Sequence, residues 1–247
     1  MRKPIYALIM THIALPQPIR EACQNFLDLF FPPSCTACHA PLLTGEEHIC
    51  TACRVELPRT NFHLLPSSPL ERLFWGRLPV EGVWAYLRYT KGGKVQSLLH
   101  GLKYKGRQPV GLMLGEWFGA ALRKSPNVPE FDFIVPVPLH KRRLRERGYN
   151  QSDLIADGLS KSLQVPVRKR LAFRKEATGT QTKRSRYNRW LNVSTVFEVE
   201  APERELEGKK VLLVDDVLTT GATLEALGQA FVEKGATVGI AVLAYAR

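Results

Sequence analysis

The sequence predicts an α/β protein in which a mostly parallel sheet, flanked by helices, follows a small four-cysteine metal-binding domain. Strand-like apolar runs alternate with helical patterns of about ten to fifteen residues, which is typical of βαβ units. Two Cys-x-x-Cys motifs, Cys35–Cys38 and Cys50–Cys53, lie close together near the N-terminus. Farther along, the apolar run Val211–Val214 leads directly into two aspartates and a Thr/Gly loop.

Composition excludes several classes of protein. Of the 247 residues, 45% are apolar and 23% are charged, which is the balance of a globular protein and not of a disordered chain or a fibre. No apolar run reaches the roughly 18 residues that a membrane-spanning helix needs. The first apolar stretch is interrupted at Thr11 and no small-residue cleavage site follows. We therefore expect a cytoplasmic protein with no membrane span.

The cysteine spacing predicts a structural zinc site. Eleven residues separate the two motifs, and each Cys-x-x-Cys turn places two thiolates on the same side of a tight loop. Cys35, Cys38, Cys50 and Cys53 can therefore surround one zinc ion tetrahedrally, which leaves no open position for a substrate.

Other uses of these cysteines stay open at this point. The four could form disulfide bonds in an oxidising compartment, or one Cys-x-x-Cys pair could be redox-active. A redox motif normally occurs once, at the start of a helix beside a strand, so its duplication over a short spacer favours a metal. His39 and His48 lie beside the motifs and could each replace a cysteine as a ligand.

The remaining elements follow from apolar periodicity and from the residues that interrupt it. Strands are expected where apolar residues alternate or run continuously: 83–89, 131–138, 193–199, 211–214 and 237–245. Helices are expected where apolar residues recur every three to four positions: 95–102, 110–122, 151–163 and 223–234. Prolines and serines after Cys53 indicate a linker. The expected segments are an N-terminal segment 1–25, a zinc-binding domain 26–60, a linker 61–82 and an α/β domain 83–247.

The segment that follows the strand 211–214 predicts a site for a phosphorylated sugar. In open α/β sheets ligands bind beyond the carboxyl ends of the strands, and a helix N-terminus with a glycine and hydroxyl groups can hold a phosphate. Asp215 and Asp216 suit a ring with vicinal hydroxyls, because carboxylates accept hydrogen bonds. Together these features describe a ribose 5-phosphate. In the simpler alternative the aspartates only cap the helix and the threonines are turn residues.

Positive charge is concentrated in one stretch of the chain. Lys and Arg number 35 against 23 acidic residues, a formal net charge of +12. Between His140 and Trp190, fifteen Lys or Arg stand against four acids, so this stretch alone carries +11. Such a field attracts polyanions, for example nucleic acid, pyrophosphate or anionic lipid. The alternative is a solvated charged face.

Several motifs, in this order, resemble the ComF family, which joins a four-cysteine zinc knuckle to a type I phosphoribosyltransferase domain. Val211–Thr223 is similar to the signature that binds 5-phosphoribosyl-1-pyrophosphate (PRPP) in type I phosphoribosyltransferases. The other matching pieces are the two cysteine knuckles, Lys103–Gly106, Val135–His140 and Arg143–Ser152. Together they extend from about Phe26 to the C-terminus.

The resemblance implies roles for individual residues. Asp215 and Asp216, the catalytic pair, would contact the ribose 2- and 3-hydroxyls, and the loop from Thr219 to Thr223 would hold the 5-phosphate. Mg²⁺ would bind together with PRPP, through pyrophosphate and ribose oxygens. The implied PRPP-binding residues are Asp215, Asp216, Val217, Leu218, Thr219, Thr220, Gly221, Ala222 and Thr223. Purine-salvage members carry Asp at the position of Thr219, so transfer to hypoxanthine or guanine is disfavoured.

The basic stretch has two candidate ligands, pyrophosphate and single-stranded DNA, because cations are interleaved with aromatic residues. The candidate residues for either ligand are Arg143, Arg145, Arg147, Arg184, Arg186, Arg189 and Trp190. The ComF family is associated with natural competence, the handling of incoming single-stranded DNA. The resemblance therefore implies PRPP, DNA and competence or DNA-processing proteins as partners.

Three functions stay open from the sequence. The first is a working phosphoribosyltransferase, a glycosyltransferase with pyrophosphate as its leaving group, that acts on an unidentified acceptor. The second is a DNA-handling competence factor that uses PRPP as a ligand or not at all. The third is a regulator that senses PRPP.

Overall fold

A computed structural model of the chain describes residues 32–174, 196–202 and 204–246. The chain divides into two compact units, Met1–Glu56 and Leu57–Arg247. Within the described ranges, no helix is both long enough and apolar enough to cross a membrane.

In the described part of the N-terminal unit, residues 32–56, two knuckle loops and one short helix form the structure. The Cys35 N–H donates to the Ala40 carbonyl at 2.8 Å, and the Cys35 carbonyl accepts from the His39 N–H at 2.9 Å, so the first loop closes on itself. The second pair of cysteines lies at the start of the helix α1, Thr51–Glu56, in which Cys53 is buried.

The C-terminal unit contains a parallel sheet, which confirms the predicted fold class. The strands of this unit are β1 (Gly82–Tyr89), β2 (Phe133–Pro136), β3 (Ala172–Arg174), β4 (Phe197–Val199), β5 (Lys210–Leu218) and β6 (Thr237–Ala246). Four of them form the sheet in the order β1-β6-β5-β2, with every neighbouring pair parallel. Strands β3 and β4 form a separate antiparallel pair. The central strands β5 and β6 contain long buried apolar runs, because both faces of the sheet are covered.

Among the described residues of this unit, the helices are α2 (Lys94–Tyr104), α3 (Gln108–Arg123), α4 (Lys141–Arg147), α5 (Gln151–Leu163) and α6 (Ala222–Val232). One face of the sheet shares a hydrophobic core with α6 and with the β3–β4 pair. Side chains alternate between the two faces along a strand. On the opposite face, the Tyr86 ring stacks on Phe118 of α3, with ring centroids 5.3 Å apart.

Helices α3 and α5 cross with their backbones almost in contact. Gly111, Gly115 and Gly119 recur every four residues and so form one stripe along α3. A Cβ atom on Gly158 of α5 would overlap the Leu112 carbonyl oxygen and would lie 2.7 Å from the Glu116 nitrogen. These neighbours are helix backbone and cannot rotate away, so the crossing requires glycine at position 158.

We expect Gly158→Ala to lower the free energy of unfolding by about 3 kcal/mol, because overpacking against rigid backbone forces the helices apart. Urea unfolding measures the change. Ser160→Ala, at a half-buried position on the same helix, is the matched control and should unfold close to wild type. Equal midpoints for the two variants would contradict the close crossing of α3 and α5.

The segment 61–82, for which the sequence predicts a linker, contains two 3₁₀ turns, Phe62–Leu64 and Glu71–Leu73. It also contributes Leu70, Phe74 and Leu78 to the hydrophobic core, and all three are buried. Phe74 packs against Gly221, Leu78 against Gly228, and Arg77 forms an ion pair with Glu225. These contacts hold the segment along the start of α6.

Two of the differences from the sequence-based expectation affect the site. The strand expected to end at Val214 continues to Leu218, because Asp215, Val217 and Leu218 keep their register with β6. The basic run 141–147 forms the helix α4. The His140 Nδ1 accepts from the Arg142 N–H at 3.2 Å at its start, and Gly148, with φ 78°, ends it.

Candidate functional site

Four cysteine sulfurs in the described part of the N-terminal unit form a zinc-binding cluster, which confirms the ligand set that the spacing predicted. The Sγ atoms of Cys35, Cys38, Cys50 and Cys53 all lie within 4.8 Å of one another, and all four cysteines are free of disulfide bonds. A tetrahedron with Zn–S bonds of ~2.3 Å has edges of about 3.8 Å. The Cys38 and Cys50 sulfurs are 3.8 Å apart. The arrangement fits a structural zinc ion.

Backbone N–H groups point at these sulfurs. The Cys50 N–H donates to the Cys35 Sγ at 3.3 Å, and the Cys53 N–H donates to the Cys50 Sγ at 3.5 Å. Burial raises the pKa of the Cys35 thiol. Hydrogen bonds from backbone N–H groups, chiefly that of Cys50, have a larger and opposite effect and lower this pKa to about 7. His39 and His48 lie in left-handed turns, with φ of 66° and 61°, and do not belong to the cluster.

The second site lies at the end of β5, where two carboxylates are each oriented by a partner. The Asp215 Oδ1 accepts hydrogen bonds from the Ser152 Oγ at 3.0 Å and from the Asp216 N–H at 2.8 Å. The Asp216 Oδ2 lies 2.7 Å from the Lys103 Nζ. The partners come from the start of α5 and the end of α2, so three elements converge on the aspartates.

The environment of Asp215 changes its proton affinity. Burial raises the pKa of Asp215 to about 7, and the negative charge of Asp216 acts in the same direction. The Asp216 N–H, the Ser152 hydroxyl and the Lys103 ammonium oppose the rise. A half-buried carboxyl whose pKa is raised this far, near the end of a central strand, is typical of a functional site.

The loop after β5 presents backbone and hydroxyl groups beside the aspartates. Gly221, with φ 81°, is the N-cap of α6, and Thr219, Thr220 and Thr223 are exposed. A Cβ on Gly221 would lie 2.9 Å from the Phe74 ring, so this position is limited both by its backbone conformation and by packing. The N–H groups in the first turn of α6 make this end of the helix suitable for an anion.

A positively charged pocket of about 370 Å³ lies nearby. His140, Arg142, Arg143 and Arg174 line it, and none of these lining residues is acidic. Burial, followed by the positive charge of Arg143, lowers the pKa of Arg174, while the charge of Asp215 opposes that shift. Two guanidinium groups close enough to repel each other make this pocket suitable for an anion.

Two family models match the chain. Residues 26–63 match a double zinc ribbon domain, and residues 152–247 match a phosphoribosyl transferase domain. The first range contains the four-cysteine cluster, and the second contains β5, the aspartate pair and the loop.

Relatives of similar length decide the family. Competence protein F of Haemophilus influenzae is 37% identical over 212 residues, which cover 81% of this chain and 91% of that protein. DNA utilization protein YhgH of Escherichia coli (strain K12) is 31% identical over 226 residues, which cover 84% of this chain and 94% of that protein. The chain belongs to the ComF family. Competence protein ComFC of Bacillus subtilis matches this ComF chain at 27% identity, over 81% of the chain and 84% of the relative.

Solved structures also resemble the ComF chain. Glutamine PRPP amidotransferase from B. subtilis is 20% identical with a TM-score of 0.41, and the match covers 58% of this chain and 30% of the amidotransferase. Adenine phosphoribosyltransferase from Leishmania tarentolae is 15% identical with a TM-score of 0.37, over 77% and 94% of the two chains.

The site residues predicted from the sequence of the ComF chain lie in different environments. Leu218 is buried in the core, so only its backbone faces the loop. Arg143 and Arg147 line cavities, and Arg145 is exposed on the same helix. Four candidates from the basic stretch lie outside the described residues: Arg184, Arg186, Arg189 and Trp190.

Three residues that the structure brings to the site were not among the individual candidates predicted from the sequence. Lys103 and Ser152 contact the aspartate pair, and Arg174 lines the positively charged pocket. Lys103 and Ser152 belong to motifs that resemble the ComF family, but the spacing of these motifs does not predict which carboxylate each residue contacts. Arg174 is one cation among many in the basic stretch.

Proposed function

We propose that this ComF chain is a cytoplasmic protein that binds PRPP at the end of β5 and acts on single-stranded DNA in natural competence. One observation supports PRPP binding most directly. Asp215 and Asp216 lie near the carboxyl end of the parallel strand β5, and α6 begins a few residues farther on, with Gly221 as its N-cap. In open α/β sheets this edge is where phosphorylated ligands bind.

The geometry suggests how PRPP would be held. The aspartates would accept hydrogen bonds from the ribose 2- and 3-hydroxyls, and the N–H and hydroxyl groups from Thr219 to Thr223 would hold the 5-phosphate. The pyrophosphate would lie in the pocket lined by Arg143 and Arg174, where its charge relieves their mutual repulsion.

Magnesium would enter with the substrate. Among the described residues, the four cysteines are the metal-binding cluster, and no third His, Cys, Asp or Glu joins the aspartate pair. Asp215 and Asp216 already accept from Ser152 and Lys103, so the chain supplies few free ligands. The site therefore fits an ion held by pyrophosphate and ribose oxygens, where Mg²⁺ would neutralise charge on the leaving group.

In a transfer reaction, an acceptor's lone pair would form a bond to ribose C1 while the C1–O bond to pyrophosphate breaks. The bonding electrons would leave with pyrophosphate, and the acceptor would lose its proton to solvent or to a basic side chain. The residues of this chain would position the ribose and stabilise the leaving group. Thr219 has no proton affinity suited to a general base, so the loop supplies none at that position.

The proposal for DNA rests on charge and on the relatives. The stretch 140–190 carries a net +11, which suits a phosphate backbone. Relatives are named competence protein F and DNA utilization protein YhgH. Competence or DNA-processing proteins would be its partners.

PRPP binding is tested by thermal unfolding. PRPP with Mg²⁺ should stabilise the wild type by about 2.7 kcal/mol at a concentration 100-fold above Kd, and should therefore raise its Tm. Asp215→Ala/Asp216→Ala should show no shift and still unfold cooperatively without ligand. Asp157→Ala, which removes a carboxylate from an exposed ion pair with Lys169, is the control and should keep the shift. No shift in the wild type at millimolar PRPP would refute the proposal.

A protein that binds PRPP without transferring it, as a regulator or a DNA-binding protein, is the second candidate. The observation that favours it is the threonine at position 219, where purine-salvage enzymes resembling this domain carry an aspartate. Pyrophosphate release in the presence of PRPP and candidate acceptors separates the two. Release above the rate of Asp215→Ala/Asp216→Ala supports transfer. A wild type that binds PRPP and releases no pyrophosphate supports the regulator.

A further inference from the structure

A second cavity, of about 430 Å³, lies between the end of α2 and the helix α4. Its lining residues combine cations, tyrosines and one acid: Lys103, Tyr104, Gly106, Arg143, Glu146, Arg147 and Tyr149. This volume lies in the range of small-molecule sites, about 300–1,000 Å³. Neither the zinc site nor the proposed PRPP contacts use its two tyrosines.

Tyr104 and Arg147 form an exposed stacking platform in this cavity. The Arg147 guanidinium carbon lies 5.2 Å from the centroid of the Tyr104 ring, and the Arg147 Nη1 donates to the Gln151 Oε1 at 2.5 Å. The Tyr104 side chain is nevertheless 62% exposed, although it is a large ring. An exposed ring next to an oriented guanidinium suits an aromatic ligand that also carries negative charge.

Tyr149 gives the cavity a fixed wall. Its hydroxyl donates to the Leu102 carbonyl, which ties the end of α4 to α2. Burial raises the pKa of Tyr149, so the hydroxyl stays protonated and keeps donating at neutral pH. This hydrogen bond holds one wall of the cavity in place, so binding would cost little rearrangement there.

The cavity adjoins the proposed PRPP site on two sides. Lys103, one of its walls, contacts the Asp216 carboxylate at 2.7 Å. Arg143 lines both this cavity and the 370 Å³ pocket. The two spaces differ in chemistry, since the pocket is lined by three arginines and a histidine, whereas the cavity adds tyrosine rings and the Glu146 carboxylate. A simple polyphosphate matches the pocket. The cavity matches a ligand with an aromatic ring and a phosphate.

We propose that this cavity binds a nucleotide unit, with the base against Tyr104 and its phosphate on Arg143 and Arg147. The inference deepens and rests on the proposed function, because it places the second ligand beside PRPP. Glu146 accepts a hydrogen bond from an amino group on the base. The unit is either a free mononucleotide or one residue of a single strand of DNA.

The experiment measures binding of two probes, thymidine 5′-monophosphate and a twenty-residue oligo(dT), to the full-length protein at low salt. Tyr104→Ala should weaken binding of at least one probe by about 5- to 100-fold, which is the usual loss for one stacked base. Tyr104→Phe keeps the ring and should bind within about twofold of wild type. Because the side chain is exposed, both variants should fold.

Lys105→Ala is the matched control, since this cation is also exposed, is adjacent in sequence and does not line the cavity. It should leave binding of the mononucleotide unchanged. Arg147→Gln should reduce the salt dependence of oligo(dT) binding by about 0.7 log units per log unit of salt, the contribution of one phosphate contact. Equal losses in Tyr104→Ala and Lys105→Ala, or no binding of either probe by wild type at millimolar concentration, would overturn the proposal.

The two probes distinguish the sources of the nucleotide. Binding of the monophosphate indicates a free nucleotide, whereas binding of oligo(dT) alone indicates a strand. A PRPP titration of Tyr104→Ala separates this inference from the proposed function. If Tyr104→Ala shows a normal PRPP-induced Tm shift and binds both probes as tightly as wild type, only the proposed nucleotide site is refuted. No PRPP shift in wild type, with probe binding that still depends on Tyr104, refutes PRPP binding and leaves the nucleotide site intact.

Discussion

Cys38→Ser is expected to release zinc and to unfold the N-terminal unit while the C-terminal unit stays folded. The four thiolates sit at zinc-binding distances, and structural zinc sites supply about 10–16 kcal/mol of apparent binding free energy at neutral pH. That energy exceeds what a unit of 56 residues gains from its own core. Loss of one ligand therefore removes most of the stability of this unit.

Metal analysis of the purified protein and limited proteolysis measure this result. Wild type should carry about one zinc per chain, and Cys38→Ser should carry much less and be cleaved first within residues 1–56. His39→Asn is the matched control, because Asn tolerates the left-handed backbone at this position and only the imidazole is lost. It should retain zinc. Stoichiometric zinc in Cys50→Ser/Cys53→Ser would refute the four-cysteine site.

Local patterns predicted the elements of the sheet well but did not fix their ends. The run Val211–Val214 is apolar and predicted a buried strand, and the strand forms. Its continuation to Leu218 depends on pairing with β6, a partner that lies about 25 residues farther along the chain. Carboxylates at positions 215 and 216 mark the end of the apolar pattern. They do not end the strand, because Ser152 and Lys103 satisfy them.

The segment 61–82 has the composition of a linker, but three of its side chains pack into the hydrophobic core. Prolines and serines predict a linker, and the segment does contain 3₁₀ turns and no long helix. Leu70, Phe74 and Leu78 recur at intervals of four, and this spacing was the available signal for burial. Their partners, Gly221 and Gly228, lie about 150 residues away in sequence. No local pattern pairs such distant residues.

The residues of both candidate sites could be predicted from the sequence, but not all of their contacts. Four cysteines in two close motifs specify their own cluster, because each motif supplies two ligands from one turn. The aspartate pair was also recognisable, since both residues and the loop are contiguous. The contacts of Lys103 and Ser152 were not predictable. Each depends on how a helix packs against the sheet, and the spacing of residues does not carry that information.

PRPP affinity is expected to rise with pH between about 6 and 8, because Asp215 must lose a proton to accept hydrogen bonds from the ribose. Burial, helped by the charge of Asp216, raises the pKa of Asp215 to about 7, above its ordinary value of 3.8. Below pH 7 the folded protein binds a proton at this carboxyl, and the ligand must expel it. The affinity should then fall by at most about tenfold per pH unit.

The same shift affects stability in the opposite direction. Since the folded pKa lies above the unfolded one, the folded state binds the proton more tightly. The stability that Asp215 contributes therefore falls as pH rises from about 4 through 7. Asp215→Asn removes the charge but keeps the shape. This variant should raise the Tm of the unliganded protein at pH 8 while weakening PRPP binding, so it separates a functional residue from a structural one.

Calorimetric titrations with PRPP and Mg²⁺ from pH 6 to 8.5, in buffers with different heats of ionisation, count the protons released. Pyrophosphate is the control ligand, because it titrates in the same range and lacks the ribose. The wild type should show a steeper pH dependence for PRPP than for pyrophosphate, and Asp215→Asn should make the two slopes equal. Asp216→Asn removes the neighbouring charge that raises the pKa of Asp215. In this variant the extra pH dependence should therefore move to lower pH. Equal slopes in the wild type would show that Asp215 does not receive the ribose hydroxyls.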